Sequence, residues 1–268
     1  MKKRRLIPLI LIKNGFVVQS RNFQTFQKIG VPLTSVKRFT EFGADEIIIL
    51  DISRENLYDI NRDDLNFSNE SNFPRLVKNI SKTCFMPMTV GGKIKSLSDI
   101  ELYLLSGADK VSINTAAILN PEFLKLAVRE FGSQCIVNSV DVKFLNNEYS
   151  VFIDNGRKKC PYSLNEWLKI SEQCGSGEIL INSIDRDGTG IGFDFNLINI
   201  TLSAVNMPII CCGGAGKFDD FIEVASKTDV DGIAAANFFN YIDQSIFLTK
   251  KFLFEKNLNF REPKLIEL

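Results

Sequence analysis

Short apolar runs rich in β-formers alternate with amphipathic stretches along the whole chain. The runs Leu6–Ile12, Glu46–Asp51, Met88–Gly91, Lys110–Ile113, Cys135–Asp141, Glu178–Asn182, Ile209–Cys212 and Gly232–Ala236 predict eight strands. Unbroken apolar stretches such as Ile47–Leu50 suit strands covered on both faces, which is the pattern of a parallel sheet. The segments Leu97–Leu105, Glu122–Phe131 and Leu164–Cys174 between them have the spacing of helical crossovers. Eight such units predict an α/β chain, a (β/α)8 TIM barrel, and 268 residues is an ordinary length for one such domain.

The two halves resemble one another. Gly43-Ala-Asp-Glu46 and the run after it align with Gly175-Ser-Gly-Glu178, and Met86-Pro-Met-Thr-Val-Gly91-Gly92 aligns with Met207-Pro-Ile-Ile-Cys-Cys-Gly213-Gly214. Two matches in the same order predict a doubled half-barrel, residues 1–130 and 131–268.

Composition narrows the chemistry. Hydrophobic residues at 45% and charged residues at 24% describe a soluble globular chain, and 32 basic against 32 acidic residues point away from nucleic acid. No histidine occurs, so acid–base work falls to Asp, Glu, Lys, Cys or Tyr. Cys84, Cys135, Cys160, Cys174, Cys211 and Cys212 lack metal-type spacing, so the expectation is reduced thiols in a cytoplasmic protein, with no metal and no cofactor. Cys211 and Cys212 are expected on opposite faces of one strand. The basic start Met1-Lys-Lys-Arg-Arg is followed by only seven apolar-run residues interrupted by Pro8, which reads as a leader to a first strand rather than a signal peptide. No segment is long enough to span a membrane.

Functional groups of such a barrel lie where strands end. Gly91-Gly92 and Gly213-Gly214-Ala215-Gly216 follow strands and precede helices, and Asn114-Thr115 and Ala236-Asn237 stand at the next strand ends. Together they predict two phosphate cradles on opposite sides of one mouth, tight-turn geometry being the alternative reading of the glycines. In Ser183-Ile-Asp-Arg-Asp187-Gly188-Thr-Gly190, Asp187 is suited to hold a substrate hydroxyl or act as an acid, with Gly188 donating its N–H; the alternative is an Asx-turn capping the next helix. Asp141 ends the run Cys135–Val140 as a rim acid or base, while its counterpart in the first half is Leu11, which moves no proton. At the other end of the strands, Arg5, Glu46, Lys110 and Glu178 are expected to close the barrel as a salt-bridged ring, since inward-facing charges must be paired.

Gly107-Ala-Asp-Lys110-Val-Ser-Ile-Asn114-Thr115, Ser183-Ile-Asp-Arg-Asp187-Gly188-Thr and Gly213-Gly-Ala-Gly-Lys217 resemble, in a match over essentially the whole chain, the cyclase subunit of imidazole glycerol phosphate synthase. The resemblance implies a glutaminase partner whose ammonia passes through the barrel to a bis-phosphorylated ribonucleotide. It makes Arg5, Glu46, Lys110 and Glu178 the ammonia gate and Asp141 one of two catalytic aspartates. It places Gly91, Gly92, Asn114, Thr115, Asp187, Gly188, Gly213, Gly214 and Ala236 at substrate-loop positions. The chain departs from that pattern at Leu11 for the other aspartate, Phe16 and Gln19 for a loop arginine and lysine, Lys93 for a glycine, Asn182 for a threonine and Asn237 for a phosphate-binding serine. Two readings follow. One is a synthase subunit with rearranged chemistry. The other keeps glutaminase docking and ammonia conduction but hands ammonia to a partner sugar amidotransferase in surface-polysaccharide biosynthesis, as divergent relatives of the subunit are associated with. The kept ring and altered mouth favour the second. An isomerase of the related histidine-pathway type needs carboxylates at both Leu11 and Asp141 and fits less well.

Overall fold

The computed structural model describes residues 3–59 and 69–267. Met1 and Lys2 of the basic leader therefore lie outside the described residues. Eight parallel strands close on themselves: β1 (Arg5–Lys13), β4 (Ile47–Asp51), β5 (Met88–Gly91), β6 (Lys110–Ile113), β7 (Ile136–Leu145), β10 (Glu178–Ser183), β11 (Ile209–Cys212) and β12 (Gly232–Ala235). Closure comes from β7 pairing with β10 and β12 pairing with β1. This is the expected (β/α)8 barrel. Strand bounds shift by one residue at places; Glu46 precedes its strand, which opens at Ile47 with a bond from its N–H to Pro87 O.

Alternation sorts side chains into two layers. Ile7, Leu9, Leu11, Ile48, Val137, Leu180, Ile210 and Cys212 fill the barrel interior, whereas Ile10, Ile47, Ile49, Val90, Ile179 and Cys211 pack beneath the helices. Cys211 and Cys212 thus face opposite layers, as the pattern predicts.

The covering helices are α1 (Pro32–Glu41), α2 (Phe73–Ile80), α3 (Leu97–Leu105), α4 (Thr115–Leu119), α5 (Pro121–Phe131), α6 (Leu164–Gln173), α7 (Phe195–Ala204), α8 (Phe218–Lys227), α9 (Phe238–Tyr241) and α10 (Ser245–Glu255). Their starts are written locally. Ser96 and Ser163 form capping boxes with Asp99 and Glu166, and Pro121 occupies the first turn of α5.

Two hairpins stand above the barrel. β2 (Phe16–Arg21) and β3 (Thr25–Gly30) extend from β1, and β8 (Glu148–Ile153) and β9 (Lys158–Ser163) extend from β7. Asn14 and Gly15 both have positive φ, the Asn-Gly turn that reverses β1 into β2. This dipeptide is a legible hairpin signal that the strand-by-strand reading passed over.

Candidate active site

The closed end of the barrel holds the four predicted charges in contact. Arg5 Nη1 lies 2.6 Å from Glu46 Oε2, and Arg5 Nη2 also bonds Glu178. Lys110 Nζ lies 2.9 Å from Glu46 Oε1 and 3.2 Å from Glu178 Oε2, and the Thr89 hydroxyl donates to Glu46. Burial pushes the Glu178 carboxyl up, but hydrogen bonding and charge from Arg5, then Lys110, outweigh it and hold it below its ordinary value. Two cations and two carboxylates neutralise one another, which is the condition for placing charge inside a barrel.

At the other end the strand termini enclose a cavity of about 650 Å³. Asp141 lies buried in its wall, with Asn114 Nδ2 3.2 Å from Oδ2 and Asn182 Nδ2 3.3 Å from Oδ1. Burial pushes its carboxyl up to about 7; the Asn182 hydrogen bond opposes this and the Asp187 charge adds to it. A carboxyl balanced between its two forms near neutral pH suits proton transfer in either direction. Leu11 lines the same cavity through the same inward alternation and offers only methyl groups.

Gly92, Asn114, Thr115, Asp187 and Ala236 also line the cavity; Gly91, Gly188, Gly213, Gly214 and Asn237 do not. The two glycine loops thus meet this cavity differently, the first through Gly92 and the second through its neighbours Asp187 and Ala236. Glycines of both halves lie close against backbone: a Cβ on Gly92 would lie 2.2 Å from Asp51 O, one on Gly214 2.1 Å from Gly192 O, and one on Gly188 2.0 Å from Ser20 O. These glycines permit close backbone packing. Asn237 accepts from Ser20 N at 3.3 Å and donates to Ser20 O at 2.7 Å, so its side chain holds the β2–β3 hairpin.

Asp187 likewise faces that hairpin. Its Oδ2 accepts from the Ser20 hydroxyl at 2.6 Å and from Phe23 N at 3.2 Å. Burial pushes its carboxyl up, with the Ser20 and Phe23 donors opposing. It does not cap the following helix; Asp194 does, accepting from Leu197 N at 3.1 Å. Gln19 points away from the cavity, bonding Gln27 across the hairpin at 2.7 Å and accepting from Tyr241. Burial raises the Cys212 thiol, which removes a thiolate nucleophile from the mouth. Among the described residues no cluster of His, Cys, Asp or Glu is arranged to hold a metal ion, and no helix is long and apolar enough to cross a membrane.

The structure adds residues that strand-end reasoning missed. Asp51 ends β4 as Asp141 follows the apolar run of β7, and it lines the cavity. The rule that picked Asp141 applies equally to Asp51. Lys93, noted only as a departure from a pattern, sits in the cavity wall with its ammonium 3.1 Å from Asp51 Oδ2. Ser112 Oγ and Asn182 Oδ1 are buried in that wall with no hydrogen-bond partner among the described residues.

Comparison with known proteins agrees with this geometry. The family model described as "Histidine biosynthesis protein" matches residues 5–244. The imidazole glycerol phosphate synthase subunit HisF of Lactococcus lactis subsp. cremoris (strain MG1363) is 39% identical over 263 residues, covering 97% of both chains. The subunit of the same name from Streptococcus mutans is 36% identical over 97% of this chain and 100% of its own, and that from Pyrobaculum aerophilum 39% identical over 96% and 98%. With the model spanning nearly the whole barrel and such relatives matched end to end, the chain belongs to the histidine biosynthesis protein family, alongside the HisF subunits.

Proposed function

We propose that this protein is a synthase subunit of the imidazole glycerol phosphate synthase type, taking ammonia from a docked glutaminase and adding it to a phosphorylated acceptor in the barrel mouth. The observation that carries the reading is Asp141, a carboxyl pushed up to about 7 by burial in the wall of the mouth cavity, with a neutralised charge ring at the opposite end of the strands. Between ring and mouth the interior is apolar, built from Ile7, Ile48, Val137, Leu180 and Ile210. Such a lining accepts uncharged ammonia and rejects ammonium, whose burial without a partner is prohibitive. A glutaminase on the ring side would release ammonia at Arg5, Glu46, Lys110 and Glu178, and displacement of one side chain would open the path. In the mouth, Asp141 would take the proton that the attacking nitrogen sheds and return it to the departing group.

The alternative hands ammonia on to a separate sugar amidotransferase. Leu11 favours it, because the position that matches Asp141 in the first half then carries no carboxylate. The relatives favour synthase chemistry, since each carries the synthase name and is matched over 97% or more of its own length. One assay separates the two. Purified protein is given ammonium and the bis-phosphorylated ribonucleotide intermediate, and the imidazole product is followed. Turnover abolished by Asp141→Asn supports the synthase reading. Absence of turnover, restored in part by Leu11→Asp with Gln19→Lys, supports the hand-off.

A further inference from the structure

A second pocket lies outside the mouth, at the foot of the β2–β3 hairpin, and shares no lining residue with the mouth cavity. It measures about 170 Å³, room for roughly five water-sized groups. The end of β3 and the first turns of α1 form one wall, and α9 forms the other. Gly30 helps to open it. A Cβ there would meet nothing nearer than Ser35 Oγ at 3.9 Å, and its φ lies outside the left-handed region, so this glycine leaves space instead of serving a turn or a close approach.

Helical spacing makes one side of α1 into the wall. Thr34, Ser35 and Arg38 share that side, two hydroxyls and a guanidinium within one turn, while Val36 and Phe39 turn into the core. Arg38 is half-buried and incompletely satisfied. Its Nη2 donates to Asn240 Oδ1 at 2.8 Å, which ties α1 to α9, and its guanidinium carbon lies 5.0 Å from the centre of the Phe39 ring. Nε is buried with no hydrogen-bond partner among the described residues, and Asp243 acts on the group through charge alone. Burial therefore holds the guanidinium below its ordinary proton affinity, with the Asp243 charge opposing. Arg5 in the ring is the reverse case: hydrogen bonds and charge from Glu178 and Glu46 outweigh its burial.

A half-buried cation with no carboxylate partner costs free energy that a bound anion would offset. The start of α1 adds to the attraction. Val31 supplies no side-chain cap and the first turn carries no acidic residue, so the positive end of the helix is uncompensated. One guanidinium also sets the ligand's charge: a monoanion is neutralised by Arg38, whereas a dianion keeps a full negative charge near Asp243. Shape points the same way, since the planar guanidinium matches the two oxygens of a carboxylate.

We propose that this pocket is a binding site for a small monocarboxylic acid, with its carboxylate on Arg38 and a polar substituent against the Thr34 and Ser35 hydroxyls. The site stands apart from the mouth and does not depend on the reaction proposed there. It does adjoin the hairpin that borders the mouth, because Tyr241 in its wall donates to Gln19 on β2.

The probe is lactate, added to the isotopically labelled full chain near neutral pH at constant ionic strength, with backbone amide shifts followed by NMR. Lactate should produce saturable shifts at Gly30, Ser35 and Asn240. Lactamide, which keeps the hydroxyl and loses the charge, should bind about tenfold more weakly or worse, and inorganic phosphate should bind more weakly than lactate. Arg38→Gln should weaken lactate about tenfold or more. Gly30→Leu fills the pocket from the opposite wall and leaves the guanidinium in place; it should weaken lactate to the same extent while the thermal midpoint stays within about 3 °C of the native protein. Absence of saturable shifts in the native protein, lactamide binding as well as lactate, phosphate binding more tightly than lactate, or full lactate affinity in either variant would each overturn the proposal. Shifts confined to Asn114 and Ala236 would do so too, since they would place lactate in the mouth.

Discussion

Asp141 illustrates how surroundings set the proton affinity of one side chain. Its carboxyl is raised because burial penalises the charged form more than two amide donors can offset. The folded value of about 7 lies above that of an unfolded aspartate, so the folded state binds the extra proton. Stability from this group is full at low pH and is lost as pH rises toward and through 7. Asp141→Asn should therefore stabilise the protein by on the order of 1–4 kcal/mol at pH 8 and leave it nearly unchanged at pH 4, as measured by urea unfolding at the two pH values. The same variant should lose about 10²–10⁴ in turnover, and the inflection near pH 7 in the rate profile should disappear. Unaltered turnover would remove Asp141 from the chemistry. At this scale much was legible: a carboxylate at a strand end and its alkyl counterpart Leu11 are visible from alignment of the halves. Lys93 was not, because neither periodicity nor motif shows that a residue after two glycines adopts φ +60° and meets Asp51.

Among the elements, the β2–β3 hairpin borders the mouth, which it lines through Phe23. It is held by Ser20, Asn22 and Phe23 on one side and Asp187, Asp185 and Asn237 on the other, with Gln19 bonded to Tyr241. Phe23 packs over Gly156 and Ile184, where a Cβ on Gly156 would meet its ring at 2.9 Å. Asn22→Ala removes two side-chain bonds and should speed amide exchange of Asn22 and Phe23 about tenfold while core strand amides keep their protection, which hydrogen-exchange mass spectrometry reads directly. Equal acceleration throughout the barrel would mean that the hairpin is not an independent unit. The eight barrel strands could be read from apolar runs because both faces of each are covered. The hairpin strands could not: β3 reads Thr-Phe-Gln-Lys-Ile-Gly and is partly exposed, so no continuous apolar signal marks it.

For the whole molecule, the barrel is a vertical arrangement of a charge ring, an apolar interior and a polar mouth. Removing one ring carboxylate leaves a buried guanidinium short of a partner. Glu178→Leu should therefore cost about 3–5 kcal/mol in denaturant unfolding, and the double variant Arg5→Met with Glu178→Leu appreciably less. Lowering the pH should also weaken the ring: the Glu178 carboxyl is depressed, so its stabilisation is present above its unfolded value and is lost as pH falls through the lower folded one. If the single and double variants are equally unstable, the ring is not a coupled unit. The chain alone determined the eight-strand order, the inward alternation and the charges at both ends, because these follow from local periodicity and from a closed sheet having only one interior. Only the tertiary structure decided that Asn237 holds Ser20, that Asp141 is poised near neutrality, and that Lys93 meets Asp51. Each of these depends on residues far apart in sequence competing for the same small volume, Ser20 against Asn237 being 217 positions distant, and no local pattern encodes which of them wins.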